Sequence, residues 1–283
     1  MKIVYSEKCL EYKQEGHPES FERVKSSYEL LKEKGFEFLK PEVASEKDIL
    51  KVHSRELLEK IKFRNFYDLD SPAYKNIFYY ASLSAGAAIK TMNECLKNKE
   101  HCFSLMRPPG HHATKNSLGG YCYFNNIAIA ITKALEDKKI KKAAILDIDL
   151  HHGNGTQDIF LGNKQVIYIS LHQFPHYPWT GEFSKENCIN YPLPAITNEK
   201  TYIKTLEMAL KNIQKFSPDL IAVSAGFDTY EKDPLGNIKL KIESYEKIAK
   251  LIKDLNKPIF SVLEGGYSGA LGECIESYLK GIE

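Results

Sequence analysis

The feature that most constrains the fold of this chain is an apolar run that ends in alternating carboxylates and imidazoles. Residues 142–146 have the length and apolar character of a buried strand, and Asp-Ile-Asp-Leu-His-His-Gly-Asn-Gly-Thr follows at 147–156. Asp149 and His151 are two residues apart, so on a strand they would project to the same face. A carboxylate oxygen and a neutral imidazole nitrogen can bind one divalent cation such as zinc. A polar strand end held only by hydrogen bonds is the alternative interpretation.

Three further apolar runs end in polar residues of the same kinds. Residues 102–105 precede Arg-Pro-Pro-Gly-His-His at 107–112, residues 219–224 precede Asp228, and residues 258–263 precede Glu-Gly-Gly-Tyr at 264–267. The two prolines restrict the backbone before His111 and His112, so this turn predicts two positioned imidazoles. Each feature by itself has an ordinary explanation, as a solvated histidine pair, a helix cap or a glycine turn.

The four strand ends are expected to meet in one crevice, because ligands of open α/β sheets bind outside the carboxyl ends of the strands. Asp149, His151 and Asp228 would then supply three metal ligands and leave one position free for water or substrate. That arrangement is typical of a catalytic zinc site, whereas structural zinc sites are closed by four cysteine or histidine ligands. The six cysteines include no Cys-x-x-Cys pair, so they are predicted to be ordinary thiols of a reducing compartment.

Five motifs in order give the chain a family resemblance. They are Gly-His-Pro-Glu-Ser at 16–20 with Arg23, residues 107–113, Gly-Gly-Tyr-Cys-Tyr-Phe-Asn at 119–125, residues 147–156, and Leu-Glu-Gly-Gly-Tyr at 263–267. On these motifs the chain resembles the zinc-dependent histone deacetylase superfamily, which includes acetylpolyamine amidohydrolases and acetoin-utilisation proteins. The resemblance covers essentially the whole chain. It implies the arginase/deacetylase-like open α/β fold, with helices on both faces of a parallel sheet and one domain over residues 1–283.

The resemblance also implies roles for individual residues. Asp149, His151 and Asp228 match the metal ligands, His111 and His112 the tandem histidines, and Tyr267 the tyrosine that polarises the scissile carbonyl. Asp147 resembles the partner of His111, and Asn154 stands where the family pairs a residue with His112. Asparagine at this position is similar to the class II and acetylpolyamine branches.

Amide hydrolysis requires chemistry that these residue types can supply. A secondary amide is a poor electrophile and its amine a poor leaving group, so a metal to polarise the carbonyl and proton transfers to and from the reactants are both needed. Asp147 would favour a charged His111, whereas neutral Asn154 would orient His112 with little electrostatic bias. We therefore predict His112 as the general base, and the acid can be the same residue. Tyr267 would donate a hydrogen bond to the developing oxyanion.

Substrate recognition is predicted from the resemblance alone. Tyr121 and Tyr177 correspond to the aromatic walls of a narrow tunnel, with Gly120 and Gly265 beside it, and Asp70 corresponds to a carboxylate at the rim. Exposed surface aromatics and a helix-capping Asp70 are the alternatives.

One departure from the family concerns the tunnel wall. Trp179 stands where relatives usually have glycine, and a bulky ring there is expected to change the backbone and the shape of the nearby pocket.

The resemblance extends to bound ions. Zinc is the expected metal, with iron or cobalt as alternatives in a mixed nitrogen and oxygen site. A structural monovalent cation, K⁺, is implied by residues of the kind that bind it in the family: Asp147, Asp149, His151, Ser170 and Leu171.

Helical patterns alternate with the strands at residues 21–34, 72–97, 201–216 and 241–255, which predicts a parallel sheet covered on both faces.

The formal charge of +2 and the pI of about 8.0 indicate no nucleic-acid binding. No signal peptide and no apolar stretch of membrane-spanning length is apparent, and a cytoplasmic location is expected.

The predicted function is metal-dependent hydrolysis of an acyl amide, acetyl in the first instance, on lysine or a polyamine. Two alternatives remain open on the sequence. An arginase-type ureohydrolase also uses Asp and His at strand ends, but it needs two metals and additional bridging carboxylates. A catalytically silent module that binds acylated amines would not need the complete set of histidines and Tyr267.

Overall fold

Eight short segments of the chain form one parallel sheet. The computed structural model describes all 283 residues. The strands are β1 (Lys2–Val4), β2 (Glu37–Leu39), β3 (Cys102–Ser104), β4 (Ala143–Asp147), β5 (Val166–Gln173), β6 (Cys188–Leu193), β7 (Leu220–Ala225) and β8 (Ile259–Leu263). Their order across the sheet is β2-β1-β3-β8-β7-β4-β5-β6, and every neighbouring pair is parallel.

Helices cover both faces of this sheet, as parallel connections require. They are α1 (Phe21–Glu33), α2 (Glu46–Ile49), α3 (Arg55–Phe63), α4 (Ile77–Asn98), α5 (Asn126–Glu136), α6 (Asn154–Phe160), α7 (Glu199–Phe216), α8 (Ile242–Lys253) and α9 (Leu271–Ile282), with a short 3₁₀ helix at Glu7–Leu10. None of these helices combines the length and the apolar character that a membrane span requires.

Strand β4 shows why both faces must be covered. All five of its residues are buried, and they alternate between two apolar clusters: Ala144 and Leu146 face one, while Ala143 and Ile145 face the other. A strand with this pattern has no solvent face, which accounts for the continuous apolar run in the sequence. The predicted fold class is therefore confirmed.

Most of the predicted elements are present with small boundary shifts. The helix predicted at 72–97 begins at Ile77, because residues 72–76 belong to the preceding loop. The prediction that Asp149 and His151 share a strand face is wrong: β4 ends at Asp147, and both side chains lie in the loop that follows it. The sequence analysis did not identify β1, β2 or β6, which are short, partly exposed or at the edge of the sheet.

Strands β3, β8, β7 and β4 are consecutive in the sheet. These are the four strands whose carboxyl ends carry the histidine, carboxylate and tyrosine motifs. Since all four strands run in one direction, the motifs lie on one edge of the sheet.

A buried ion pair secures the amino-terminal segment at this edge. Arg107, fully buried, donates through Nε and Nη2 to the Glu19 carboxylate at 2.6 and 2.7 Å, and through Nη1 to the carbonyl oxygens of Cys9 and Tyr12 at 2.7 and 3.0 Å. Its guanidinium also lies 3.6 Å from the centre of the Tyr12 ring. Every charge of the pair is met by a partner, which a buried guanidinium and carboxylate require.

Candidate active site

Three buried side chains converge beyond the ends of β4 and β7. One donor atom from each of Asp149, His151 and Asp228 lies within 4.8 Å of the other two. His151 Nδ1 is 2.9 Å from Asp228 Oδ2 and 3.2 Å from Asp149 Oδ1. Donors bound at about 2.1 Å to one tetrahedral zinc ion lie about 3.4 Å apart, so this spacing is compatible with a single shared cation.

The electrostatics of this group also favour positive charge. Burial opposes a charge on His151, but hydrogen bonds to Asp149 and Asp228, together with their charges, outweigh burial and raise its pKa to about 10. Two buried carboxylates around one nitrogen can be neutralised by a divalent cation as well as by a proton. The donor set, one imidazole nitrogen and two carboxylate oxygens, is one that catalytic zinc sites use.

Backbone amides hold the two carboxylates in place. Gly265 N donates to Asp149 Oδ2 at 2.7 Å, and Leu150 N donates to Asp228 Oδ1 at 2.8 Å, so the other oxygen of each group faces His151. A Cβ atom at Gly265 would lie 2.6 Å from Asp149 Oδ2 and closer still to Asp228 Oδ2. Only glycine fits there, because any side chain would displace both carboxylates.

The tandem histidines stack beside this group and have different partners. His111 Nδ1 donates to Asp147 Oδ2 at 3.1 Å, and His112 Nδ1 is 2.7 Å from the amide oxygen of Asn154. The two ring centres are 4.0 Å apart. Tyr168 also donates its hydroxyl to Asp147 Oδ2, at 3.0 Å. The predicted pairs are therefore brought together, and Tyr168 is a partner that the sequence analysis missed.

These partners give the two histidines opposite protonation tendencies. Burial disfavours the charged form of His111, but the charges of Asp149 and Asp147 outweigh burial and raise its pKa to about 10. Burial, reinforced by the positive charges of His111 and His151, moves the pKa of His112 well below its ordinary value. His112 is therefore neutral near pH 7, whereas His111 is biased toward the imidazolium.

Glu264 supports the turn that carries both histidines. It is fully buried; its Oε2 accepts the amides of Gly110 and His111 at 2.7 and 3.2 Å, and its Oε1 accepts the Ser224 hydroxyl at 3.2 Å. Burial raises the pKa of this carboxyl to about 7. No role for Glu264 was predicted from its motif, because the two amides that it accepts are more than 150 residues away along the chain.

Tyr267 lies at the same end of the site on the loop after β8. Its amide donates to Asp233 Oδ2 at 2.6 Å, and the Arg23 guanidinium lies 4.6 Å from the centre of its ring. Arg23 in turn donates to the carbonyl oxygens of Glu264 and Gly266, at 2.8 and 2.6 Å. Burial raises the pKa of Tyr267 well above its usual value, so the hydroxyl remains a hydrogen-bond donor at neutral pH.

A cavity of about 430 Å³ opens over this group. Its lining contains the predicted residues Asp70, His112, Gly120, Tyr121, His151, Tyr177 and Tyr267, and five that the sequence analysis missed: His176, Pro234, Leu235, Gly236 and Asn237. Of the other predicted site residues, Gly265 is packed against the carboxylates beneath the cavity, and Trp179 is outside it. The Trp179 ring therefore leaves the two tyrosine walls in place.

Glycine at position 120 allows two cavity walls to approach each other. Gly120 has a φ of +55°, and a Cβ atom there would lie 2.6 Å from His112 Cδ2 and 2.8 Å from the Tyr177 hydroxyl. Tyr121, with a φ of +67°, turns its ring toward Tyr267 with 5.8 Å between ring centres. The cavity is therefore narrow and aromatic beside the histidines.

The residues expected to bind a monovalent cation lie on β4, β5 and the loop after β4. Ser170 is directly opposite Asp147 in the sheet, and its hydroxyl is hydrogen-bonded to His172 Nδ1 at 2.8 Å. Leu171 follows on the same strand. Asp149 and His151 also belong to the group of three metal-capable donors with Asp228, and the K⁺ site stays a prediction.

The sequence matches one known protein family over most of its length. A model of the histone deacetylase domain matches residues 17–282. A probable deacetylase of Archaeoglobus fulgidus is 36% identical over an alignment of 298 positions. The alignment covers 95% of this chain and 82% of that protein. An acetylpolyamine amidohydrolase of Mycoplana ramosa is 39% identical over 210 residues, or 70% of this chain and 61% of its own length.

Solved structures show the same fold. The HDA15 HD domain matches with a TM-score of 0.92 and 28% identity, covering 100% of this chain and 90% of that one. An acetylpolyamine aminohydrolase from Burkholderia pseudomallei matches with a TM-score of 0.92 at 24% identity, over 100% of this chain and 98% of its own. At that lower identity the likeness concerns the fold alone.

Proposed function

This chain belongs to the histone deacetylase family, and from that premise we propose that it hydrolyses the acetyl amide of an acylated lysine or polyamine to the free amine and acetate. The observation that carries the proposal is a single juxtaposition. Three metal-capable donors and the two histidines are packed together, and one of the donors, His151, lines one cavity with His112 and Tyr267. This is the combination that hydrolysis of an unactivated amide requires.

Asp149, His151 and Asp228 would hold the metal, for which we propose zinc, with iron or cobalt as substitutes. When bound, such an ion supplies Lewis-acid polarisation of the amide carbonyl and makes water more acidic. The three donors are supported by their spacing, by their burial and by the absence of room for any side chain at Gly265.

His112 is proposed as the general base. The amide oxygen of Asn154 can only accept a hydrogen bond, so Nδ1 of His112 carries the proton and Nε2 is the basic atom. His112 lines the cavity, where Nε2 can take a proton from the attacking water and later return it to the departing amine nitrogen. Asn154 fixes this tautomer without adding a charge.

His111 is proposed to act through its charge. Asp147, which also accepts from Tyr168, holds the His111 imidazolium beside the neutral ring of His112. A fixed positive charge at this place stabilises negative charge that develops on the amide oxygen. His111 and Asp147 therefore form an electrostatic pair and leave proton transfer to His112.

Tyr267 is proposed to donate its hydroxyl proton in a hydrogen bond to the developing oxyanion. Arg23 and Asp233 hold the loop that carries it, so the ring is positioned before substrate arrives. Donors that are oriented in advance stabilise the transition state without reorganisation.

Tyr121 and Tyr177 are proposed as the walls that enclose the methylene chain of the amine, with Gly120 between them and the histidines. Asp70 is the carboxylate that lines the cavity away from the metal group, and it suits a cationic or peptide substrate. Gly265 contributes by giving the two carboxylates space. The family relatives named as acetylpolyamine amidohydrolases support the polyamine side of this proposal.

Two accessory expectations belong to the proposal. Asp147, Asp149, His151, Ser170 and Leu171 would hold K⁺ below the active site. The six cysteines are all free and buried, which fits the reducing conditions of the cytoplasm.

The experiment that tests the function is a parallel activity screen of acetyl-lysine peptides, acetylputrescine, acetylspermidine and longer acyl chains, with zinc added. Hydrolysis of at least one acetamide, abolished by chelation and restored by zinc, is expected. A silent binding module would bind these amides without any turnover, even within one catalytic cycle. An arginase-type enzyme would release urea from guanidino substrates instead, although this structure offers one group of three metal-capable donors and not two.

A further inference from the structure

Trp179 is the single tryptophan of the chain, and its backbone is unusual for a bulky residue. Its φ is +62°, in the left-handed region that glycine adopts at little cost. Its side chain is 71% exposed. The fold therefore accepts backbone strain at a position where the indole gains little from burial, and such strain is most often found at functional sites.

Two histidines hold the residues that follow Trp179. Thr180 Oγ1 is hydrogen-bonded to His152 Nδ1 at 2.7 Å, and His172 Nε2 donates to the carbonyl oxygen of Gly181 at 3.1 Å. A Cβ atom at Gly181 would lie 2.5 Å from His172 Nε2, so the loop is packed closely on its inner side. The backbone after Trp179 is therefore fixed, while the indole itself is exposed to solvent.

Trp179 belongs to the same short segment as two residues that line the cavity. Its amide donates to the carbonyl oxygen of His176 at 2.7 Å, and both His176 and Tyr177 line the cavity. Asp70 is the charged residue on the same lining away from the metal group, and no lysine or arginine lines the cavity. The segment that supplies two lining residues thus also carries an exposed aromatic ring, and the lining itself carries the negative charge of Asp70.

We propose that Trp179 forms an outer binding surface for the distal, cationic part of the acylated amine, and that it discriminates between long and short substrates. An indole attracts ammonium groups through its face and packs against methylene chains, and the carboxylate of Asp70 complements the same charge. The proposal rests on the proposed function, because it concerns the part of the substrate that remains outside the cavity while the amide is hydrolysed.

Kinetics provide the first test, with acetylspermine as the long cationic substrate, acetylputrescine as a short one and N-acetylbutylamine as a neutral one. Trp179→Gly removes the ring and relieves the backbone strain. We expect the KM for acetylspermine to rise about threefold to tenfold, in line with a partly exposed cation–π contact, with kcat unchanged. The neutral amide should change less than about twofold, and Trp179→Phe should restore most of the affinity for acetylspermine.

Lys138→Gly is the control for backbone strain, because Lys138 is also exposed and also has a positive φ, of +55°, but its amide is hydrogen-bonded to Leu135, which does not line the cavity. It should leave the KM values of all three amides unchanged. Equal changes for all three substrates in Trp179→Gly would overturn the proposal, since they would indicate a general effect on the loop. A shift of oligomeric state in gel filtration of Trp179→Gly would also overturn it in favour of self-association.

Tryptophan fluorescence separates this proposal from the proposed function, because Trp179 is the only source of indole emission. Titration of acetylspermine into a Tyr267→Phe variant, which retains the indole, should change the intensity or wavelength of emission, whereas N-acetylbutylamine should not. Unchanged emission at concentrations that saturate binding would refute contact with Trp179. If the wild type hydrolyses no acetamide, the proposed function fails, and the titration still decides whether the amine binds beside the indole.

Discussion

The carboxylate of Glu264 accepts the backbone amide of Gly110 at 2.7 Å, although the two residues are 154 positions apart. The contact joins the end of β8 to the turn after β3. It therefore fixes the position of the two histidines relative to Asp149, His151 and Asp228. A second amide, from His111, binds the same oxygen. The catalytic geometry therefore depends on a side chain beneath the site that has no place in the proposed reaction.

Glu264→Met should lower kcat by about tenfold or more with little change in KM, because it leaves the Gly110 and His111 amides without their acceptor, and displacements of about 1 Å can cost about 100-fold. Steady-state kinetics and zinc analysis will check this. Ser224→Ala is the control, since it removes only the contact to the other carboxylate oxygen. A parallel loss of metal in Glu264→Met would show that the effect does not operate through the histidine turn.

Asp228→Ala should lose stoichiometric zinc, because it removes one of three donors and leaves His151 with one carboxylate partner. Metal content of the purified protein, measured by atomic emission, is the test. Asp219→Ala, at the opposite end of β7, should bind zinc normally. Full zinc occupancy in Asp228→Ala would refute the assigned ligand set.

Tyr267→Phe should retain its fold and its metal and lose about 100-fold to 1,000-fold in kcat on an acetamide substrate, as removal of an oxyanion donor does elsewhere. The ring remains in place against Arg23, so only the hydroxyl is lost. If turnover stays within about twofold of the wild type, the hydroxyl does not contact the reacting oxygen.

His112→Ala should reduce turnover far more than His111→Ala, with zinc retained in both. Asn154 leaves Nε2 of His112 free to accept a proton, whereas Asp147 commits His111 to its charged form. Turnover and metal stoichiometry of the two variants should be measured on one substrate. Equal losses, or a larger loss for His111→Ala, would reverse the assigned roles, and loss of zinc from His112→Ala would require a new coordination sphere.

His53 should make the stability of the fold sensitive to mild acid. Its Nε2 accepts from Asn125 N at 2.8 Å, so Nδ1 carries the proton that is donated to the Thr114 carbonyl oxygen at 2.9 Å. Burial lowers its pKa to about 4 in the folded protein, while the unfolded chain titrates near pH 6.5. The unfolded state therefore binds the extra proton between these values, and stability falls as the pH is lowered through this window.

The expected loss from His53 is about 2 kcal/mol between pH 7 and pH 5. Urea unfolding of the wild type and of His53→Gln across this range will measure it, and the variant should show a shallower pH dependence. Identical pH dependence in the two proteins would mean that His53 is not kept neutral by the fold.

The site residues that follow the strand ends were the ones most readily predicted from the sequence. Asp149, His151 and Asp228 were identified because parallel topology brings the carboxyl ends of β4 and β7 to one edge, and that argument holds even though β4 stops at Asp147. The same-face argument failed because the ligand pair lies in a loop, where strand alternation does not apply. The position of the site could thus be predicted without the local backbone.

Contacts between distant loops could not be predicted in this way. Arg23 reaches the carbonyl oxygens around Tyr267 from 241 and 243 residues away, and Leu235 enters the cavity wall from an irregular segment after β7. The helical pattern at residues 21–34 predicts the element that carries Arg23 but not the loop that Arg23 contacts, because periodicity reports on a single element. Trp179 was expected to reshape the pocket, but it does not line the cavity, and the contacts of His152 and His172 with the residues that follow it are ones that only the fold provides.

The glycines packed against the metal group also limit the routes by which this enzyme can change in evolution. At Gly265, and at Gly226 against Asp149, the first atom of any side chain would overlap a carboxylate, so nearly every mutation there removes the chemistry before it can alter specificity. The exposed rim has no such restriction. On the proposed function, changes of substrate are therefore expected at exposed positions such as Trp179 and not at the buried glycines.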